Sequence, residues 1–335
     1  MTTLAVQSIG AVTAAGPNAA LTMAAIHARS QLFGDTNVAG PAGDPITGAL
    51  TPLLPKPGRI ERLAALGLLA LAECAAGQPE SPLPLPLLVC APTAVDLGEP
   101  EGRLLDRIVA DAARPIDLSR SRVIAQGKDA LPEALAVAEQ MLAARQVLGC
   151  YLLGTDSLIA PTRLRRLVRA GLVVDGVNSD GFVPGEGAAA LLLVPRRDRA
   201  TMAVIAGLGR ARDADLANGE AATGRAIGEA IDRALADAYV KPAQISAVVH
   251  DLSGQYALFE ELALASARPP LVALPGLKMI QPAFATGEIG AASGVLSLAA
   301  AAFLLEHGVA REAAVALFTS DGPSRSAAVL VREQR

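Results

Sequence analysis

Tryptophan is absent from the 335 residues, and aromatic side chains of all kinds make up 3%. That is too little to build stacking platforms for nucleobases. Positive charge is not in excess either: 29 basic residues are mixed along the chain with 33 acidic ones, for a net charge of −4. No basic face marks a nucleic-acid surface, so nucleic acid is not an expected partner. Cysteine is sparse and odd in number. Cys74, Cys90 and Cys150 are scattered, each among apolar neighbours, which excludes a disulfide framework and argues for buried thiols in a reducing, cytoplasmic setting. His27, His250 and His307 stand apart from one another and from other ligand residues, so no metal site is expected. No basic segment precedes the first apolar stretch, and Met1 to Ala20 does not read as a signal peptide. The longest uncharged apolar run, Ile289 to Leu305, is interrupted by Gly290, Ser293, Gly294 and Ser297 and falls short of a membrane span. A buried helix is expected there.

What the chain does have is apolar bulk, 52% of its residues and mostly Ala, Leu and Val. That suits a soluble globular protein with a large core, built as one big domain or two fused halves. Leu4 to Val12 reads as a strand. Asn18 is suited to cap a helix through Ala28 with Leu21, Ala24, Ala25 and Ala28 on one face. Asn37 to Gly58, rich in Pro and Gly, reads as loop. Arg59 to Ala75 returns to helical periodicity, with Ile60, Leu63, Ala64, Gly67, Leu68, Leu71 and Cys74 on one stripe. Pro82, Pro84 and Pro86 lead into a short buried strand, Leu87 to Cys90. Asp129 to Arg145 reads as a helix with Pro132 in its first turn, and Val147 to Leu153 as a strand ending at Gly154-Thr155-Asp156-Ser157. The alternation predicts a mostly parallel α/β sheet. It then starts again: strand Met202 to Leu208, helix Thr223 to Ala238, strand Ile245 to Leu252. Val6 to Gly10 and Val204 to Gly209 open the two stretches alike, a hint of internal duplication.

The most informative segment is Asp180-Gly181-Phe182-Val183-Pro184-Gly185-Glu186-Gly187, followed by the unbroken apolar run Ala188 to Val194. Three glycines permit backbone angles that other residues resist, and the run is that of a fully buried strand. This segment resembles the glycine-rich turn of β-ketoacyl-acyl-carrier-protein synthases, members of the thiolase superfamily. Other matches recur in order. Ser8 to Gly16 resembles the family's first strand and turn, Ala28-Arg29-Ser30 the end of its first helix, and Leu153 to Ser157 the turn after the strand that follows the nucleophile helix. Lys241 to Ile245 leads into Val249-His250-Asp251 much as the family leads into its first catalytic histidine, and Gly287 to Gly294 resembles the start of the buried helix carrying the second. The resemblance implies an α/β thiolase fold of two similar halves, 1–198 and 199–335, in a five-layered αβαβα architecture.

The chemistry of the family is not matched. A condensing synthase needs a thiolate to accept the acyl group and two imidazoles to promote decarboxylation and hold the enolate oxygen. Counting back without gaps from Gly154-Thr155-Asp156, the nucleophile position falls on Lys128, and a two-residue shift puts it on Gln126. Neither is a thiol, and the three cysteines lie in other segments. His250 occupies the first histidine position, but Glu288 stands at the second, where an ionised carboxylate would repel an enolate. The lysine usual before that histidine is missing at its spacing; Lys278 lies farther upstream. Phe318-Thr319-Ser320-Asp321-Gly322-Pro323 replaces the glycine- and phenylalanine-rich gating loop.

Two readings of the altered positions stay open: Lys128, His250 and Glu288 converge in a changed active site, or Lys128 and Glu288 form a buried ion pair where the reaction centre was. The resemblance, with these losses, implies a non-condensing pseudoenzyme that works through protein contacts, as a chain-length-factor-like partner of an active ketosynthase or as a scaffold or adaptor in a biosynthetic or secretion-associated cluster. The implied partners are a second copy, a ketosynthase or another cluster protein, with an acyl carrier protein as a further one; no cofactor is implied. The competing expectation is an acyl-thioester decarboxylase or acyltransferase using His250 with Gln126 or Lys128.

Overall fold

A computed structural model describes residues 4–51, 58–78, 81–196, 201–273 and 276–333. The strands are β1 (Leu4–Thr13), β2 (Gly34–Ala39), β3 (Pro45–Gly48), β4 (Leu87–Cys90), β5 (Arg122–Ile124), β6 (Cys150–Ser157), β7 (Glu186–Pro195), β8 (Ala203–Arg212), β9 (Ile245–His250), β10 (Lys278–Ile280), β11 (Ala313–Thr319) and β12 (Ser324–Val331). The helices are α1 (Ala19–Ala28), α2 (Arg59–Ala75), α3 (Ala94–Leu97), α4 (Glu101–Asp111), α5 (Ala130–Ala143), α6 (Pro161–Arg169), α7 (Ala214–Ala217), α8 (Arg225–Ala238), α9 (Tyr256–Ser266), α10 (Ala283–Thr286) and α11 (Ser293–Glu306).

Ten strands form one sheet in the order β10-β9-β11-β12-β8-β1-β7-β6-β4-β5, and it is mixed and not mostly parallel as expected: the outer strands of each set pair parallel, and the pairings from β11 through the centre to β6 are antiparallel. The order repeats about its centre. Outward from β1 run β7, β6, β4 and β5, and outward from β8 run β12, β11, β9 and β10. The two sets meet where Leu4, Ala5 and Val6 pair antiparallel with Ile205, Val204 and Ala203. Apolar residues then fill three separate spaces. α2 and α4 cover the outer face of the β1 set through Ile60, Leu63, Leu71, Leu104 and Ile108. α8 and α9 cover the outer face of the β8 set through Ile227, Ile231, Leu235 and Leu262. Between the sets lie α5 and α11, with Leu131, Leu135, Val295, Leu296 and Leu298 in one apolar cluster with strand residues of both sets, α5 against the β1 set and α11 against both. The result is helix, sheet, helix, sheet, helix, five layers. The Ile289–Leu305 run is part of the central layer, and α11 is buried on almost every side, as its lack of polar periodicity requires. No helix among the described residues is long and apolar enough to cross a membrane.

Three local expectations are corrected. Asn37 to Gly58 is not all loop: β2 and β3 form an antiparallel pair, with Thr36, Val38 and Ile46 turned inward and Pro45 at the strand start, where its missing N–H costs little. Val38 and Ile46 bury against Leu158, Leu164, Val173 and Phe182, long-range partners that composition does not reveal; residues 52–57 of that stretch lie outside the described ones. In α1, Asn18 caps the helix by accepting from the Leu21 N–H at 2.8 Å. The buried face, however, is Ala19, Thr22, Met23 and Ile26, and Leu21 and Ala24 face solvent. The helix is apolar all round, so periodicity could not choose a side. Finally, Gly154 to Ser157 is not a turn but the buried end of β6, paired antiparallel with Glu186 to Ala189. Its polar residues survive burial because Thr155 Oγ1 donates to the Leu63 carbonyl at 2.8 Å and Ser157 Oγ to Glu186 Oε2 at 3.0 Å.

The glycine corner before β7 is a junction rather than a sharp turn, and none of its three glycines lies in the left-handed region. Backbone segments cross closely there. A Cβ on Gly185 would sit 2.4 Å from the Thr286 carbonyl oxygen, and one on Gly181 2.7 Å from the Val173 carbonyl carbon. Gly185 N–H donates to Glu288 O and Glu288 N–H to Val183 O, both at 2.8 Å, so the corner fixes the backbone of Glu288. Glu186 is buried, paired with Arg62, and accepts from Thr51 N–H at 3.1 Å.

Candidate functional site

β5 ends at Ile124, and a single turn of 3-10 helix, Gly127–Asp129, leads into α5. Gly127 adopts φ +61°, a left-handed angle that suits glycine, and its N–H donates to Ala91 O at 3.0 Å. This reversal turns Lys128 inward, leaving 8% of its side chain exposed. Its Nζ donates to Glu288 Oε2 at 3.3 Å and to the Asp251 carbonyl at 3.2 Å, with Asp251 Oδ2 3.6 Å away. Lys128 and Glu288 are thus brought together, and Asp251 joins them.

Glu288 is held by more than the lysine. Ser253 Oγ donates to its Oε2, and Gly290 N–H and Ser293 Oγ donate to its Oε1, both at 2.8 Å. Burial works against its charge, but Lys128 and these donors outweigh it and hold the carboxyl below its ordinary value. Burial likewise opposes the Lys128 charge, and the carboxylates of Asp251, Glu288 and Asp321 overcome it, raising the ammonium above its ordinary value. Asp251 accepts from Thr319 N–H and Oγ1 on its Oδ1, both at 2.8 Å. Burial nevertheless pushes its carboxyl upward, as it does that of Asp321. The neighbouring Glu288 carboxylate adds a smaller upward push on both, and Lys128 opposes it.

His250 ends β9 next to Asp251 in a buried position, edge-on to Phe259 with ring centroids 6.4 Å apart. Burial first, and the Lys128 charge second, lower its pKa to about 4. Its Nδ1 is buried without a hydrogen-bond partner. The ring is therefore neutral near pH 7, and its Nδ1 lacks the local bond expected for a strand-end histidine. Gln126 takes a different direction: its Nε2 donates to Glu133 Oε2 at 2.6 Å at the surface, away from Lys128. Lys278 is also remote, lying on β10 with its Nζ donating to Val309 O at 3.3 Å.

Chemically, this arrangement holds charge in place. A protonated lysine is not a nucleophile, and an ionised glutamate accepts hydrogen bonds but donates none. The segment at the gating-loop position closes the β11–β12 hairpin, with Ser320 Oγ accepting from Gly322 and Ser324 N–H, both at 3.1 Å. Among the described residues no group of His, Cys, Asp and Glu is arranged to hold a metal ion. The sequence reading missed Asp251, Ser253, Ser293 and Asp321 as members of this centre. The signal for the first two was there, in two polar residues, Asp251 and Ser253, directly after a buried strand.

The cysteines are buried at three other places, and burial raises the Cys74 and Cys150 thiols to about 12 and Cys90 further still. Iodoacetamide at pH 8 is accordingly expected to leave the native protein unmodified and to add three adducts after denaturation, as read by intact mass. A rapidly alkylated native thiol would contradict this placement.

No protein-family model matches the sequence, and no curated protein matches it. Solved structures do. The ishigamide ketosynthase/chain length factor aligns over 99% of this chain and 100% of its own, with TM-score 0.79 and 15% identity. A type II PKS acyl-carrier protein in complex with its ketosynthase bound to the hexaketide aligns over 99% and 100%, with TM-score 0.75 and 15% identity. A β-ketoacyl synthase from Burkholderia phymatum STM815 aligns over 100% of both chains, with TM-score 0.73 and 15% identity. Likeness over whole chains at this level, together with the five layers and the repeated strand order, establishes that the chain has the thiolase-like α/β fold of the ketosynthases.

Proposed function

We propose that this chain is a non-condensing, ketosynthase-like protein that works through protein contacts, as the chain-length-factor-like partner of an active ketosynthase. The observation that carries the reading is Lys128. At one of the two positions counted for the nucleophile, it is buried and engaged with Glu288 and Asp251, so it supplies no thiolate and its ammonium is already taken by carboxylate and carbonyl oxygens. The division into halves, 1–198 and 199–335, belongs to the same reading and is supported by the mirrored strand order. A partner surface is supported at β5, an end strand of the ten-stranded sheet that pairs only with β4, near which Val95 is 81% exposed and Leu118 also faces solvent. A cytoplasmic setting suits three unpaired, buried thiols.

The closed hairpin at 319–324 favours a scaffold or adaptor role in a biosynthetic or secretion-associated cluster over one that shapes an acyl tunnel. The competing enzyme reading draws on His250, whose neutral ring and open Nδ1 could take a proton. One experiment addresses all three. The protein is incubated with malonyl- and acyl-loaded carrier protein, alone and with a cysteine-containing ketosynthase, and followed by carbon dioxide release, intact mass and light scattering after gel filtration. The expected result is no adduct and no decarboxylation by the chain alone, with a heterodimer forming with the ketosynthase. A stable monomer or homodimer that ignores the ketosynthase returns the adaptor reading. An acyl adduct on this chain, or carbon dioxide release lost in His250→Ala, overturns the pseudoenzyme reading.

A further inference from the structure

Beside the Lys128 centre, and independent of its function, two guanidinium groups converge on one buried carboxylate. Arg59 opens α2 and Arg163 lies in α6; their Nη2 atoms are 3.6 and 3.9 Å from the oxygens of Asp156. At these distances Asp156 makes no hydrogen bond to either guanidinium; it accepts from Ser157 N–H at 2.7 Å and Ala291 N–H at 3.1 Å. Arg59 Nε and Nη2 and Arg163 Nε and Nη1 are buried and have no hydrogen-bond partner. The other contacts leave those four nitrogens unmet. Arg59 Nη1 donates to the Ser157 carbonyl at 3.3 Å. Asp96 lies 2.9 Å from Arg163 Nη1 but out of line for a hydrogen bond, and its other oxygen is held by Arg166.

A guanidinium does not lose its proton, so this shortage cannot be relieved by neutralisation. Arg59, Arg163 and Arg166 set three positive charges against the two of Asp96 and Asp156. Part of each side chain meets solvent, 18% for Arg59 and 14% for Arg163, and this exposure lies on atoms other than the four unmet nitrogens. On the approach, α6 presents Arg165, Arg166 and Arg169 to solvent, a field that draws anions inward.

We propose that Arg59 and Arg163 form an oxyanion site that takes a phosphate group, with Arg166 at its mouth. Phosphate fits better than a carboxylate because its oxygens are arranged tetrahedrally and can meet donors from two planar guanidiniums at once. The same chemistry serves free phosphate or the phosphodiester of a larger molecule.

The test is calorimetry and thermal unfolding of the full chain at fixed ionic strength, with inorganic phosphate, dimethyl phosphate, acetate and chloride as titrants. Phosphate is expected to bind saturably and raise Tm. Arg59→Gln and Arg163→Gln are each expected to weaken binding by about tenfold or more, and Arg311→Gln, at an exposed position just before β11, to leave it unchanged. If the glutamine variants do not fold, Arg59→Lys and Arg163→Lys keep the charge while removing the planar fork, and weaker phosphate binding in them also supports the site. Dimethyl phosphate binding as well as phosphate points to a diester ligand, and phosphate alone to the free ion; both support the site. Absence of saturable binding, equal response to acetate, or affinity unchanged in the Arg59 and Arg163 variants overturns it.

Discussion

Lys128→Met is expected to cost about 3–5 kcal/mol of stability at pH 7, the usual penalty for removing one partner of a buried ion pair. Glu288 and Asp251 would keep their burial and lose the cation that sits 3.3 and 3.6 Å away. The hydrogen bonds from Ser253, Ser293 and Gly290 would still hold Glu288, but neutral donors do not offset a full charge in a dry site. The penalty belongs to the leftover charge and not to the lost contact. Lys128→Met combined with Glu288→Gln and Asp251→Asn is therefore expected to recover most of the stability, since a neutral, hydrogen-bonded replacement of a buried ion pair is close to neutral in energy. The single variant should also recover as pH falls, because its unpaired carboxylates take up protons more readily than those of the native protein. Urea unfolding at pH 7 and pH 5 measures both effects. A loss below about 1 kcal/mol for the single variant would mean that the ammonium is effectively solvated and that the pair carries little energy.

Between pH 6.5 and pH 4 the protein is expected to lose about 3 kcal/mol through His250 alone. The folded-state pKa of His250 is about 4 against an ordinary 6.5, chiefly from burial and then from the Lys128 charge. Each unit of such a difference corresponds to about 1.4 kcal/mol. The sign follows from proton counts. In this window the unfolded chain binds a proton at His250 and the folded chain does not, so stability is complete above 6.5 and falls as the pH drops toward 4. Glu288, held low, adds acid sensitivity at the lower end, whereas Asp251 and Asp321, held high, act in the opposite direction. All three are present in His250→Phe, which keeps an aromatic ring beside Phe259. The difference between the two stability–pH curves thus isolates the histidine. Parallel curves would show that His250 is solvated or charged in the folded state.

Much of the architecture was legible in the chain. The stripe of α2, the cap at Asn18, the short strand after the three prolines and the buried run that became α11 all follow from spacing within a few residues, which local periodicity and capping record. So did the absence of a thiol at the β5–α5 reversal, because identity at one position is a property of sequence alone. Other features were hidden for reasons that can be named. α1 is apolar on all sides, so only its neighbours decide which face is covered. Polar Thr155, Asp156 and Ser157 read as a turn because their partners Leu63, Ala291 and Glu186 are far along the chain.

The glycine corner divides the two kinds of knowledge. Its composition pointed to unusual backbone angles, which the glycines do not adopt, and to a buried strand after it, which is there. Only the tertiary structure decided why glycine stands there: Thr286, Val173 and Glu288 cross it from distant positions, and glycine is needed for approach and not for an unusual φ. The same holds for the charge centre. The sequence by itself offered Lys128 or Gln126, with His250 and Glu288, as the candidates for one altered centre. That Lys128 rather than Gln126 turns inward, and that Asp251, Ser253 and Ser293 complete the centre, was decided by contacts spanning 123 and 160 positions. Electrostatic pairing in a dry interior depends on distance in space, and distance along the chain does not encode it.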